Sequence, residues 1–219
     1  MFFQILLFVL PWSLRRQLLN AIYGYEIAPG ARIGWSVVMV ARCVMSPTAR
    51  IGHLTMVKGL DLLRIDEQAL LGNLNWVTGF PTALRQHFAH ETERCPSLLI
   101  ERHAAITNRH IIDCTDRVTI GAFATLGGFR SQILTHAIDL KECRQSCRPV
   151  TIGAYCFVGT GAILMKGSVL PDRSILGPGS VLTKVMSEPG MLYSGVPAVA
   201  VRPVAADTGY FVRQVGFVW

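Results

Sequence analysis

Residues 150–184 are VTIGAYCFVGTGAILMKGSVLPDRSILGPGSVLTK, and an aliphatic side chain returns in them at every sixth position: Ile152, Val158, Leu164, Leu170, Leu176 and Leu182. A small or turn-forming residue follows most of these, as Gly153, Gly159, Pro171 and Gly177 do. A period of six fits neither the turn of a helix nor the alternation of a hairpin strand. It suits a chain that coils in short flat steps, each turning one aliphatic side chain into a shared axial core. Glycine is favoured at such corners because it accepts positive φ and brings no side chain to a crowded bend.

The same step extends toward the N-terminus through Ile27, Ile33, Met39, Met45, Ile51 and Val57, then slips by two residues and resumes at Ile65, Leu71 and Val77. It returns at Ile100, Ile106 and Ile112 and re-phases to Ile120, Leu126 and Gln132. Such slips predict corner bulges or small outward loops within one continuous coil. Two stretches lose the pattern. Residues 80–97, FPTALRQHFAHETERCPS, are polar, contain two prolines and predict a short helix or excursion between coils. Residues 135–149, THAIDLKECRQSCRP, form a second polar interruption, and an insertion that the scaffold does not need points to function. The chain therefore divides into an apolar segment with a short helix near Ser13 to Ala21 (1–26), the coil (27–185) and a tail (186–219) expected to pack back as a cap.

With 219 residues, of which 51% are hydrophobic, the chain can bury a continuous core, which excludes disorder. A net charge of +7 calls for an anionic partner: a nucleotide phosphate, an anionic glycan or a membrane surface. No nucleic acid is expected, because there is no dense Lys/Arg run and no nucleic-acid module. The six cysteines are scattered and lack zinc-knuckle spacing, which predicts reduced thiols in a cytoplasmic protein. The N-terminal run MFFQILLFVLPWSLRRQLL is cut by Pro11 at about half the ~20 residues that a bilayer span needs. Its Arg15 and Arg16 follow the apolar run, opposite to a signal peptide. Two readings stay open: a segment resting on the inner face of a membrane, with arginines at the headgroups, or an apolar strip packed on the chain's own core or a neighbouring subunit. The general tendency to bury apolar termini favours packing.

The repeats from Ile27 onward, the loop THAID, the run GPGSVLTK and the tail SGVPAVAVRPV together resemble the hexapeptide-repeat acyltransferases, and among them the sugar O-acetyltransferases look most similar. The likeness extends from about Ile27 to Pro203 and is most specific in its last third. It implies an all-β, left-handed parallel β-helix with a short N-terminal helix and loop insertions. It also implies a homotrimer with sites shared between adjacent subunits, acetyl-coenzyme A as cosubstrate, no metal, and a sugar or glycan acceptor.

Within that resemblance His136 matches the general base. Acyl transfer from a thioester to a hydroxyl removes the hydroxyl proton as the tetrahedral intermediate forms, and an imidazole suits that task. Its other ring nitrogen needs an orienting partner, for which Asp139, near in sequence, Asp113, if the coils bring it near in space, and a backbone carbonyl are alternatives. Asn108 and His110 lie about one coil earlier, where relatives contact the acceptor; the alternative is a polar turn satisfied by the backbone. These two with Asp113 and Asp139 make up the acceptor candidates. His53 and His103 are weaker candidates, and His87 and His90 are expected on a solvated helix. For the coenzyme, Thr183 and Lys184 match a pair along the pantetheine and nucleotide, and Arg202 matches a base near its phosphate. Thr160 and Gly161 stand where the pantetheine approaches the backbone. Pro178 replaces a frequent alanine and removes an amide donor. For Lys184 and Arg202 the alternative is a solvated basic surface.

The expected activity is acetyl-coenzyme A dependent O-acetylation of a sugar or a bacterial surface or exo-polysaccharide precursor, by direct attack without an acyl-enzyme. The alternatives are N-acetylation of an amino sugar and a non-catalytic trimeric scaffold. A zinc enzyme of the carbonic-anhydrase-like branch fits less well, since the histidines do not follow its pattern.

Overall fold

A computed structural model describes residues 2–84 and 87–218. Arg85 and Gln86 of the first insertion, Met1 and Trp219 lie outside the described residues. The coil folds as a left-handed parallel β-helix of triangular section. Its flat sides are sheets of seven, nine and seven strands among the described residues, parallel throughout except for the last strand of the nine. The seven coils begin at Glu26–Ile27 and end at Val181–Leu182. Each strand pairs with its equivalents one coil above and one below, so backbone hydrogen bonds run along the axis at the usual spacing of about 4.8 Å.

The register stacks one inward side chain per face into three columns. The first runs from Ile27 and Met45 to Ile152 and Leu170. A second runs from Ile33 and Ile51 through Val158 and Leu176 to Tyr193. The third runs from Val38 and Val57 through Ile112 and Ile133 to Leu182. All six aliphatics of the 150–184 stretch are fully buried. Two sequence expectations fall in the third column and are corrected there: Val38 is the core member rather than Met39, and Ile133 rather than Gln132. The turn after Ile33 uses one residue fewer than its neighbours and the turn after Leu126 one more, so a strict count of six lands one place off.

The three edges of the prism differ. From the first to the second face the step is six residues in every coil. Between the third face and the first it varies, and this edge takes up both two-residue slips and both insertions. The edge between the second and third faces carries a stack of glycines. A Cβ on Gly72 would run into the Thr107 carbonyl one coil away, so only glycine lets these corners approach.

The first insertion takes the second of its two expected forms, an excursion between coils, and the second insertion differs from expectation. Residues 80–84 and 87–96 form turns and extended stretches and no helix. Residues 135–149 form a hairpin, His136–Asp139 antiparallel to Arg144–Cys147. Its cross-strand bonds satisfy a backbone that leaves the coil, which a structureless loop could not do.

At the N-terminal end the helices Phe2–Leu6 and Trp12–Tyr23 close the core. Leu7, Leu19 and Tyr25 are buried beneath the first coil, and the Gln4 carboxamide exchanges hydrogen bonds with both backbone groups of Val38. Gln4 thereby blocks an otherwise open strand edge. Among the described residues no helix is long and apolar enough to cross a membrane. At the other end the hairpin Met191–Gly195 with Ala198–Pro203 adds to the second face. The last residues do not cap the end as expected. They run back down the first-to-second edge, where Tyr210 Oη donates to the Cys156 carbonyl at 3.0 Å and the Gly216 amide to His103 Nδ1 at 3.2 Å. Along that edge His103, Phe123 and Tyr155 stack at 4.5 and 4.6 Å, and the Arg213 guanidinium lies over the Tyr210 ring.

Adjacent leucines test the columns. Leu71 is fully buried and Leu70 is 36% exposed. In denaturant unfolding, Leu71→Ala is expected to cost about 2–5 kcal/mol and Leu70→Ala under about 1 kcal/mol. Equal costs would contradict the assigned register.

Candidate active site

The irregular edge concentrates the chemistry. Asp113 ends a third-face strand, Ile111–Asp113, and His136 opens the inserted hairpin one coil later. His136 Nδ1 lies 2.7 Å from Asp113 Oδ2. The carboxylate also accepts from the Thr115 amide and hydroxyl, at 3.2 and 2.6 Å, on its other oxygen. On Oδ2 it takes further bonds from the Thr135 amide and hydroxyl, at 2.8 and 2.7 Å, and from the His136 amide at 3.1 Å. Burial is the largest influence on Asp113 and acts to raise its pKa. The bonds from His136, Thr115 and Thr135 together outweigh it and hold the carboxyl below its ordinary value.

An ionised carboxylate only accepts hydrogen bonds, so the proton between the pair sits on Nδ1 and leaves the lone pair on Nε2. Nε2 has no hydrogen-bond partner among the described residues, and the His136 side chain is about one-third exposed. The imidazole is thus fixed on one side and free on the other, the arrangement of a general base.

The first insertion walls this imidazole. Phe80 and Phe88 each meet the ring edge-on with centroids 5.9 Å away. Buried Arg94 holds that segment together by donating to the carbonyls of Phe80, Pro81 and Leu84, with its guanidinium 5.1 Å from the Phe88 ring centroid. The two insertions also brace each other: His90 Nε2 lies 2.7 Å from the Gln145 carbonyl, and the Cys147 amide donates to Glu91 at 3.2 Å. Lys166 Nζ donates to Ser146 Oγ on the hairpin's second strand. Cys147 is the cross-strand partner of His136, yet burial pushes its thiol up to about 12, so it is no ready nucleophile.

The remaining candidates separate. Asp139 sits at the hairpin tip, where its Oδ1 accepts from the amides of Lys141 and Glu142, away from the imidazole. His110 is closed to any ligand: it is 1% exposed, its Nδ1 accepts from the Ser131 amide and its Nε2 meets Thr107 Oγ1 at 3.0 Å. Its expected contact with an acceptor is therefore replaced by the turn-satisfying alternative. Asn108 accepts from Asn73 on the second-to-third edge, on the far side of the third face from His136.

Thr160, Gly161 and Pro178 lie on that same far edge. The Thr160 hydroxyl donates to the Phe129 carbonyl at 2.9 Å, and a Cβ at Gly161 would meet nothing within 4 Å. Thr183 and Lys184 are exposed two coils beyond His136 on the irregular edge, and exposed Arg202 stands opposite Leu192 in the terminal hairpin. One chain does not bring the coenzyme candidates together around His136. Phe80, Phe88, Arg94 and Lys166 belong to the site without having been singled out. The segment IDCTD carried a readable signal for Thr115, since a hydroxyl two residues after an aspartate is a usual local partner. Among the described residues no group of three His, Cys, Asp or Glu could hold a metal ion.

No protein-family profile matches the chain. A galactoside O-acetyltransferase of Escherichia coli (strain K12) is 30% identical over 67 residues, which is 30% of this chain; the matched part spans about a third of that relative's length, 32%. Among solved structures, the polysialic acid O-acetyltransferase OatWY superposes with a TM-score of 0.63 at 16% identity, over 87% of this chain and 90% of its own. AntD, an N-acyltransferase from Bacillus cereus solved with dTDP-4-amino-4,6-dideoxyglucose and coenzyme A, superposes with a TM-score of 0.55 at 11% identity, over 87% and 89%. The likeness to hexapeptide-repeat acyltransferases thus extends to the fold, and both enzymes share this chain's left-handed β-helix.

His110 makes the stability of this region depend on pH. Burial pulls its imidazole down to about 4, so the unfolded chain takes up a proton that the folded chain refuses. This contribution is complete above the ordinary histidine value and is lost as pH falls toward about 4. Denaturant midpoints between pH 7 and pH 4.5 should fall less steeply for His110→Gln than for the parent; parallel slopes would clear His110 as the cause.

Proposed function

We propose that the chain is an acetyl-coenzyme A dependent O-acetyltransferase acting on a hydroxyl of a sugar or a bacterial surface or exo-polysaccharide precursor. The observation that carries this reading is the contact between His136 and buried Asp113 beside a free Nε2. Acetyl-coenzyme A supplies the activated acetyl group. His136 Nε2 accepts the proton of the attacking hydroxyl, and Asp113, holding Nδ1–H, stabilises the imidazolium that results. The imidazolium then returns that proton to the departing sulfur, which leaves His136 ready for another cycle. Phe80 and Phe88 restrict the ring and keep water from its edges.

Coenzyme contacts from Thr160, Gly161 and Pro178 on one edge, from Thr183 and Lys184 on another and from Arg202 at the end of the second face fit a site completed by a neighbouring subunit. The outward side of the third face supports a homotrimer. Met56, Trp76, Ile111, Ile163 and Val181 form one registered column interrupted only by Gln132, and Trp76 and Ile111 are each 48% exposed. Such a ladder is better covered than solvated. The likeness to AntD favours transfer to an amino sugar as the second reading.

His136→Ala should reduce turnover by at least about a hundredfold with little change in the KM for acetyl-coenzyme A, and Asp113→Asn should reduce it nearly as far by freeing the wrong tautomer. Thiol release measured with hydroxyl and amino sugars separates the two readings; undiminished turnover in His136→Ala would remove the base assignment. Light scattering should give a trimer, and Trp76→Glu should dissociate it and lose activity with His136 intact.

A further inference from the structure

Far from His136, the second face carries a recess of about 610 Å³ between the N-terminal helices and the first four coils. Arg32 and Arg50 are Cα partners on adjacent strands and both project outward into it. Like charges directly opposite one another repel, and such a pair weakens a sheet unless something anionic covers it. Neither guanidinium has a hydrogen-bond or ion-pair partner among the described residues.

A third arginine lines the same recess. Arg15 is 3% exposed and donates to the carbonyls of Gly34 and Ser36 at 2.8 and 2.9 Å, while its Nε has no hydrogen-bond partner. Phe8 lies under this guanidinium at 4.5 Å, and burial lowers it to about 10. Among the described residues no carboxylate lines the recess. Three cations without a counter-charge around one concavity make an anion site.

The rim is as unusual as the floor. Trp35, 61% exposed, lines it beside a wall made by Phe8, Leu10 and Trp12, and the segment that supplies this wall also carries Val9, 87% exposed, and Leu6, 68% exposed. A bare aliphatic rim gains nothing from a hydroxylated polymer. It does gain from an acyl-chain boundary, where a tryptophan also prefers to sit. The recess lies on the second face and its edge with the third, where Asn73 and Asn108 line it, outside the third-face ladder assigned to subunit packing.

We propose that this recess docks the phosphate-bearing headgroups of an anionic lipid surface, with Arg32 and Arg50 on the phosphates and Leu6 and Val9 entering the interface. Arg15 holds the wall in place and adds its charge from below. The inference does not rest on the acetyl-transfer reading.

Co-sedimentation tests it with vesicles of phosphatidylglycerol and phosphatidylcholine against vesicles of phosphatidylcholine alone. The chain should pellet with the anionic vesicles, remain in solution with the neutral ones, and be released by salt. Arg32→Ala/Arg50→Ala should lower partitioning about twentyfold. Leu6→Ser/Val9→Ser should lower it as well, both variants keeping the parent's thermal midpoint and oligomeric state. If either variant fails to fold, the salt titration of the parent decides, since salt-independent pelleting overturns the proposal. Equal pelleting with neutral vesicles overturns it too, as does no pelleting at all. Binding of soluble glycerol phosphate or an anionic polysaccharide without vesicle binding would assign the arginines to a soluble anion instead. A change of oligomeric state alone in Leu6→Ser/Val9→Ser would make the rim a subunit contact.

Discussion

Every coil must lie on the coil before it. The backbone donors and acceptors of a flat coil point along the axis, so a coil that drifted out of register would bury unpaired groups at about 1–3 kcal/mol each. Registered aliphatic columns enforce the same condition from inside, because each inward side chain must meet its equivalents above and below. The constraint is severe on two edges and slack on one. The first-to-second edge keeps six residues without exception, and the glycine stack on the next edge tolerates a deviation of a single residue. Only the edge between the third face and the first lets a loop leave and re-enter without disturbing the register, and both insertions use it.

That slack edge is costly ground for a charged group, since Asp113 is buried and a buried carboxylate needs its lone pairs filled. The fold fills them locally. Thr115, two residues on, closes one oxygen, and Thr135, where the hairpin departs, closes much of the other. Thr135 also accepts from the Asp116 amide at 3.0 Å, so the hydroxyl that donates to the carboxylate pins the insertion to the coil. His136 is therefore oriented by the same bonds that make burial of Asp113 tolerable. Scaffold and site are one network here, and the histidine owes its geometry to the departure point of the hairpin.

The period of six was enough to read the fold, because a repeated constraint writes itself into sequence many times over. Its failures at Met39 and Gln132 came where single turns differ by one residue, a change too small to break a pattern but enough to swap inside for outside. The candidate site was legible only where chemistry is local. His136 stood out in THAID and Asp113 in IDCTD. That they touch depends on the height of one coil and the residues spent between them. Asp139 looked equally apt from sequence and is spent on a turn, while His110 is spent on satisfying a buried corner. Phe80 and Phe88 gave no signal, since an aromatic in a polar excursion has no period to belong to.

Charge distribution separates what the net value of +7 merges. Lys184 stands at the C-terminal end of the prism on the edge that carries His136, and Arg202 at the same end on the last strand of the second face, whereas Arg15, Arg32 and Arg50 gather at the N-terminal end of that face. Coils separated by about 4.8 Å each put several coil heights between the two groups, beyond the roughly 8 Å over which exposed charges sense one another at physiological salt. One anion cannot satisfy both groups. The arginine pair on the second face is also the costlier arrangement, because its members are held on adjacent strands by the columns beneath them and cannot move apart. A scaffold that keeps identical charges in register, with no carboxylate between them, keeps them for a counter-charge that comes from outside the chain.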